Sequence, residues 1–185
     1  MTTNGLEALA LVETESIARG YSVMDMLAKR ARVTVRWAHP VTPGKFIILF
    51  AGEIASIEEA MDAAQESAGT SLIASMLLPQ VHPDLLAALA GQFTQASPAA
   101  VAIIEMDRVA QTLEAADLAL KAAEVGLLKL HLAKGIGGKG FFILAGVLAD
   151  VEAAVFALEH SYLQEFILAK ELIPNPQPDI RGFFS

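Results

Sequence analysis

Four ionisable side chains recur at matched places in the chain and could do chemistry. Glu13 and Glu105 each end a short apolar run, where a buried carboxylate could act as a tuned acid or base. His39 and His131 end the next predicted strands and could bind a metal ion. No convergent histidine, serine or second carboxylate accompanies the glutamates in the sequence. We therefore predict hydrogen-bonding glutamates, packed or solvated histidines, no metal site and no enzyme.

Two glycine-rich segments follow the histidines and could bring backbone close to another molecule. They are Thr42-Pro43-Gly44 and Gly135-Ile136-Gly137-Gly138. Their composition by itself favours ordinary β-turns over the lining of a pore. A phosphate-binding loop is a weaker interpretation, because Phe141 and the residues after it predict a strand, whereas a Gly-x-Gly-x-x-Gly loop opens a helix.

Composition removes several classes of function. The 185 residues include no cysteine, which excludes a disulfide scaffold, a cysteine nucleophile and a cluster held by the chain's own thiolates. A net charge of -8 argues against nucleic-acid binding. The apolar runs Phe46–Ala51 and Phe141–Ala145 are too short to span a bilayer, and residues 1–7 show no secretory signal. The expectation is a cytoplasmic, soluble protein whose 54% apolar content supplies a large subunit interface.

These candidate residues are positioned by a duplicated set of elements. Matched residues recur at a spacing that drifts only from 92 to 95 positions. The pairs include Glu13 with Glu105, Asp25 with Asp117, Lys29 with Lys121, His39 with His131, Gly52 with Gly146 and Pro79 with Pro174. We predict two homologous domains, residues 1–93 and 94–185, joined by the polar linker Gly91–Pro98.

Each repeat predicts the order βαββαβ, an α+β fold with helices on one face of an antiparallel or mixed sheet. The first repeat is predicted as Ala8–Glu13, Ile17–Ala31, Val33–Ala38, Lys45–Gly52, Ser56–Ala68, Ser71–Leu78 and a final helix Pro83–Ala90. The second is predicted as Val101–Glu105, Val109–Ala123, Val125–Ala133, Lys139–Gly146, Asp150–His160 and Glu165–Ile173, with its final helix degraded around Asn175–Asp179. Ser56 and Asp150 are the predicted N-caps.

With these motifs in place, the chain resembles the tandem-domain shell proteins of bacterial microcompartments. Five features carry the resemblance in both halves, and it covers nearly the whole chain. They are the apolar strand ending in Glu13 or Glu105, Asp25 and Lys29 or Asp117 and Lys121 in the first helix, Gly44-Lys45 or Gly138-Lys139, the strand ending at Gly52 or Gly146, and the acidic second helix with Glu58 or Glu152.

The resemblance implies an assembly. In the family, three fused chains form a pseudohexameric tile around a central pore, and tiles pack edge to edge with other shell proteins, hexamers and pentamers. It implies that Thr42-Pro43-Gly44 and Gly135–Gly138 line the pore and that Lys29, Lys121, Asp25 and Asp117 lie at the tile edge. The strand-first order favours an unpermuted domain in a single-layer homotrimer within the shell, with encapsulated enzymes as further partners, and with no nucleic acid and no membrane.

Two departures from the family pattern stand out. Gln80 and Asn175 occupy the places of an edge arginine, which predicts weaker lateral contacts. Thr42 occupies the place where a relative from propanediol-utilisation compartments carries a cysteine that holds an iron–sulfur cluster. Threonine has no thiolate, so no cofactor is expected and the opening is predicted to be a conduit. The alternative is a small-molecule-binding or signalling protein on a duplicated ferredoxin-like scaffold.

Overall fold

The computed structural model describes residues 8–95 and 98–184. Residues 1–7, 96, 97 and 185, which include part of the predicted linker, lie outside this description. The chain divides between Val81 and His82 into two compact units. No helix among the described residues is long and apolar enough to cross a membrane.

The first unit is one antiparallel sheet covered by two helices. Its elements are β1 (Ala8–Thr14), α1 (Ile17–Arg30), β2 (Thr34–Val41), β3 (Lys45–Gly52), α2 (Ile54–Ala68) and β4 (Leu72–Leu78). The strands lie in the order β2-β3-β1-β4. The central strands β1 and β3 are buried along nearly their whole length, which explains their continuous apolar runs.

The second unit repeats this sheet. Its elements are α3 (Pro83–Leu89), β5 (Ala100–Met106), α4 (Val109–Ala122), β6 (Gly126–Leu132), β7 (Gly140–Gly146), α5 (Leu148–Glu159) and β8 (Ile167–Pro174). The order β6-β7-β5-β8 is again wholly antiparallel. The predicted α+β fold with two copies of one domain is confirmed, as is the degraded last helix, since a 3-10 segment, Pro178–Phe183, stands in its place.

The second helix of each unit begins earlier than the sequence predicts. Helices α2 and α5 begin two residues before the predicted caps, with Glu53 and Val147 at the N-cap positions, and neither makes a capping side-chain hydrogen bond. Packing of the apolar face on the sheet, with Ile57 and Val151 fully buried, outweighs capping preference here. By contrast, α1 begins as predicted after Ser16, whose hydroxyl accepts the Arg19 N–H.

Strand β2 extends beyond the predicted end at Ala38. Pro40 and Val41 belong to β2 and pair with Phe46 and Lys45 of β3. Proline is tolerated because β2 is an edge strand, where one face of the backbone needs no ladder partner. The loop therefore contains only Thr42, Pro43 and Gly44.

Helix α3 packs within the second unit although it follows the last strand of the first repeat. It lies against β6 and α4, and its Leu85 is fully buried. His82 caps it by accepting the Asp84 N–H on Nδ1, 3.2 Å away. The His82 backbone N–H donates to the Asp117 carboxylate of α4 at 2.8 Å. The predicted domain boundary at residue 93 follows the sequence repeat. Packing divides the chain earlier, before α3, and so places α3 in the second unit.

A large and a small residue have exchanged places between the two helix–sheet contacts. In the first unit, a Cβ on Gly20 of α1 would lie closer than 3.0 Å to the ring of Phe46. At the equivalent contact in the second unit, a Cβ on Gly140 would lie closer than 3.0 Å to Thr112 of α4. Each pair fills one space in opposite ways, because interiors are close-packed.

Candidate functional site

The first candidate loop is a tight turn at the end of the β2–β3 hairpin. Thr42 and Pro43 are exposed, and the Gly44 N–H donates to the Val41 carbonyl at 2.8 Å. Gly44 has a φ of 123°, a conformation that side chains with a Cβ rarely adopt. There is open space where a Cβ would stand, so backbone conformation and not crowding requires glycine here.

The second candidate loop lies at the equivalent place, between β6 and β7. Gly135, Gly137 and Gly138 all have positive φ, and the Ala133 N–H donates to the Lys139 carbonyl at 2.8 Å, closing the base of the loop. A nitrogen of His131 lies 2.6 Å from the Lys134 carbonyl. These contacts fix the base of the loop, and the glycines at its tip leave the backbone accessible.

Each loop is anchored by a glutamate–lysine ion pair that sequence reasoning missed. Lys45, directly after the first loop, lies 3.8 Å from the carboxylate of Glu13. Lys139, directly after the second, lies 3.3 Å from that of Glu105. The recurrence of both residues in both repeats could have indicated the pairing. The glutamate and the lysine are about 30 positions apart in sequence, and the register of the sheet brings them together.

The histidines pack on aromatic rings. His39 lies beside Trp37 with ring centroids 5.0 Å apart, and His131 stacks on Phe141 at 5.3 Å. Among the described residues, no group of three or more histidine, aspartate or glutamate side chains could hold a metal ion. The observed contacts of both histidines are those of packed side chains.

The acid–lysine pairs of the first helices differ between the units. Asp25 and Lys29 of α1 are 2.5 Å apart and both exposed. Asp117 and Lys121 of α4 also pair, but Asp117 is buried and additionally accepts the N–H of His82. The same motif is therefore a surface pair in one unit and an anchor for a chain segment in the other.

Asn175, one of the two residues in place of the edge arginine, is held by other contacts. The backbone N–H of Asn175 donates to the Ala99 carbonyl at 2.7 Å, and its side-chain oxygen lies 3.4 Å from the Arg181 guanidinium. Arg181 also donates to the Pro176 carbonyl at 2.9 Å. These bonds tie the C-terminal 3-10 segment to the end of β8.

The donor set at the first loop does not fit a cysteinyl iron–sulfur cluster. Thr42 offers a hydroxyl, and the chain contains no cysteine. A neutral hydroxyl is a hard, weak donor, whereas clusters need soft thiolates. The first loop therefore lacks the ligands that such a cluster needs.

The chain is a tandem-domain protein with two copies of one α+β domain. Each copy has a glycine-dependent loop between its second and third strands and an aspartate–lysine pair in its first helix. The BMC domain family model matches residues 8–81 and again residues 100–176. The chain therefore belongs to the BMC domain family and is a tandem-domain shell protein of bacterial microcompartments. The family is structural, and trimers, pores and self-assembly are typical of it.

Relatives match along most of the chain. It is 34% identical to the bacterial microcompartment shell protein PduT of Citrobacter freundii, over 92% of this chain and 93% of that one. A microcompartment protein of known crystal structure from Desulfitobacterium hafniense DCB superposes with a TM-score of 0.80 at 34% identity, covering 96% and 99% of the two chains. The fused permuted hexameric shell protein MSM0275 from the RMM microcompartment shares the fold, with a TM-score of 0.62 at 23% identity, covering 82% of this chain and 78% of that one.

Proposed function

We propose that three copies of this chain close into a pseudohexagonal tile of the shell, and that the two loops line a central opening through which metabolites or cofactors pass. The observation that supports this most is the recurrence of a glycine-dependent loop at the same hairpin in both units. A ring of three copies contains six such loops around one axis. Backbone N–H and C=O groups at their tips would then face the opening.

The two domains of the proposed tile are residues 1–93 and 94–185, in the unpermuted order. Its lateral partners are other shell proteins, hexamers and pentamers, and encapsulated enzymes lie on one side of it. We propose no catalytic role, since Glu13 and Glu105 are engaged with Lys45 and Lys139. The alternative, a binding or signalling protein on a ferredoxin-like scaffold, is not favoured by the family.

The oligomeric state is tested by native mass spectrometry of the wild-type chain. The expected species is three times 19.6 kDa. A stable monomer at micromolar concentration would contradict the proposal.

The position of the first loop is tested with a single cysteine, which the cysteine-free chain makes unambiguous. In Thr42→Cys, three thiols converge on the axis, and a trifunctional maleimide should yield a covalent trimer on denaturing gels. Thr70→Cys, also exposed but in the turn before β4, is the matched control and should remain monomeric. If native trimers form but Thr42→Cys does not cross-link, the trimer stands and the pore lining is wrong.

A further inference from the structure

The C-terminal 3-10 segment, Pro178–Phe183, is the counterpart of α3. The repeat spacing of 95 positions that pairs Pro79 with Pro174 also pairs Pro83 with Pro178. Each segment follows the fourth strand of its repeat and opens with the sequence Pro-Asp. Helix α3 packs on β6 and α4 of the repeat that follows it.

The side chains of the two segments differ sharply in exposure. Leu85 and Ala88 of α3 are 0% and 5% exposed against the second unit. Their counterparts, Ile180 and Phe183, are 43% and 80% exposed. Two large apolar side chains thus face solvent at positions whose counterparts in α3 are buried, which marks an unpartnered docking face.

Helix α4, on which α3 packs, is more buried than its counterpart α1 in the first unit. Leu113 of α4 is fully buried, whereas its counterpart in α1, Tyr21, is 54% exposed. Val109 is likewise buried where Ile17 is exposed. Asp117, which accepts the N–H that precedes α3, is buried where Asp25 is exposed.

From these matched differences we infer that the C-terminal segment of one copy docks on α1 of the next copy, as α3 docks on α4 within the chain. The occupant is a second copy of this chain, because the chain's own C-terminal segment has the repeat spacing and the Pro-Asp start of α3 and exposes the apolar positions that α3 buries. By the same correspondence, the Gln177 N–H, in the place of the His82 N–H, donates to the Asp25 carboxylate of the neighbouring copy. Lys29 stays at the edge of the tile while Asp25 is shared across the joint.

This contact is heterologous, with different surfaces meeting head to tail. Each copy has one C-terminal segment and one free α1 face, so every joint in a closed ring is identical. The inference rests on the proposed ring, since it names the contact that closes it.

The variant that tests the contact is Phe183→Asp. Phe183 is mostly exposed in the single chain, so the fold of a copy should be preserved, as circular dichroism and the urea midpoint would show. Loss of a central aromatic anchor should raise the concentration at which rings half-dissociate by roughly thirtyfold or more. Phe156→Asp is the matched control, since Phe156 is also a mostly exposed phenylalanine but lies on α5, and its rings should dissociate as the wild type does.

A double variant tests the partner surface directly. In Tyr21→Cys with Phe183→Cys, a short bismaleimide should link copy to copy and give covalent dimers and trimers. An equimolar mixture of the two single variants should stop at dimers, because each joint then needs one copy of each kind.

The outcomes separate this inference from the proposed function. Wild-type trimers together with a Phe183→Asp variant of unchanged affinity, or a double variant that gives no covalent trimers, would overturn the docking and leave the tile intact. A monomeric wild type would overturn both.

Discussion

Glu13 and Glu105 occupy the same place in the two repeats, but only Glu13 is withdrawn from water. The side chains of Glu13 and Lys45 are 0% and 18% exposed, whereas those of Glu105 and Lys139 are 42% and 46% exposed. An ion pair in solvent contributes little to stability, but removing one partner of a buried pair leaves a poorly solvated charge. The two glutamates form a natural matched comparison.

We expect Glu13→Ala to lower the free energy of unfolding by about 3 kcal/mol, since Lys45 loses its carboxylate and a cavity remains. Glu105→Ala should cost less than about 1 kcal/mol, because the exposed Lys139 is solvated by water. Urea unfolding followed by circular dichroism measures both. Equal losses for the two variants would show that burial does not distinguish the pairs.

A second residue-scale prediction concerns Glu114 of α4. Burial raises the pKa of its carboxyl, although hydrogen bonds from Tyr162 and Gln111 oppose the rise. Since the folded state binds this proton more tightly than the unfolded chain, stability increases as the pH falls through the raised pKa and is lower above it. Glu114→Gln should therefore be more stable than the wild type at pH 7, and the difference should shrink as the pH falls toward 4.5.

Urea unfolding at several pH values checks this prediction. Tyr162→Phe is the companion variant: it removes the hydroxyl that donates to Glu114, so the pKa of Glu114 should rise further. A Glu114→Gln variant whose advantage is the same at pH 7 and pH 4.5 would count against the assignment.

At the scale of elements, the prediction concerns the packing of the first helix of each unit on its sheet. Gly20 makes room for Phe46 in the first unit, and Gly140 makes room for Thr112 in the second. Gly20→Thr should cost about 1 to 3 kcal/mol through overpacking. Adding Phe46→Gly installs the pair of the second unit, and the double variant should lose at least about 1 kcal/mol less than the two single losses summed.

The coupling is measured by a double-mutant cycle in urea. Gly52→Ala is the control for a methyl added at ordinary van der Waals distance, since the Arg32 carbonyl oxygen would lie 3.4 Å from the new Cβ, and it should leave stability nearly unchanged. If the losses of unfolding free energy at positions 20 and 46 are strictly additive, the two residues do not interact energetically.

At the scale of the whole molecule, the prediction concerns Lys29 and Lys121, the two lysines predicted at the tile edge. Lys29 and Lys121 end the first helix of each repeat, and Lys29 extends from an exposed pair with Asp25. If they face the neighbouring tile, Lys29→Glu with Lys121→Glu should abolish the sheets or tubes formed on overexpression while native mass spectrometry still finds trimers. Electron microscopy of cells and of purified protein checks this.

Lys134→Glu is the control for the charge change, because Lys134 is exposed, directly precedes the second loop and belongs to neither α1 nor α4. It should leave sheets intact. Sheets that persist in the double variant would remove the lysines from the tile edge, and sheets lost in both variants would indicate a general effect of charge.

The sequence by itself determined the duplication, the α+β order of elements, the two glycine-dependent loops and the family. These features are local or periodic: strands show as apolar runs, turns as glycine and proline, and a repeat as a constant spacing. Local signals failed where packing outweighs them, as at Pro40 within β2 and at the uncapped starts of α2 and α5.

Only the tertiary structure decided which unit α3 joins, which lysine neutralises Glu13 and which member of each matched pair is exposed. Asp25 and Asp117 stand in the same motif, but Asp117 is buried because a segment 35 residues earlier folds over it. A repeated sequence predicts equivalent surfaces, whereas packing makes them differ wherever one repeat has a neighbour within the chain and the other does not.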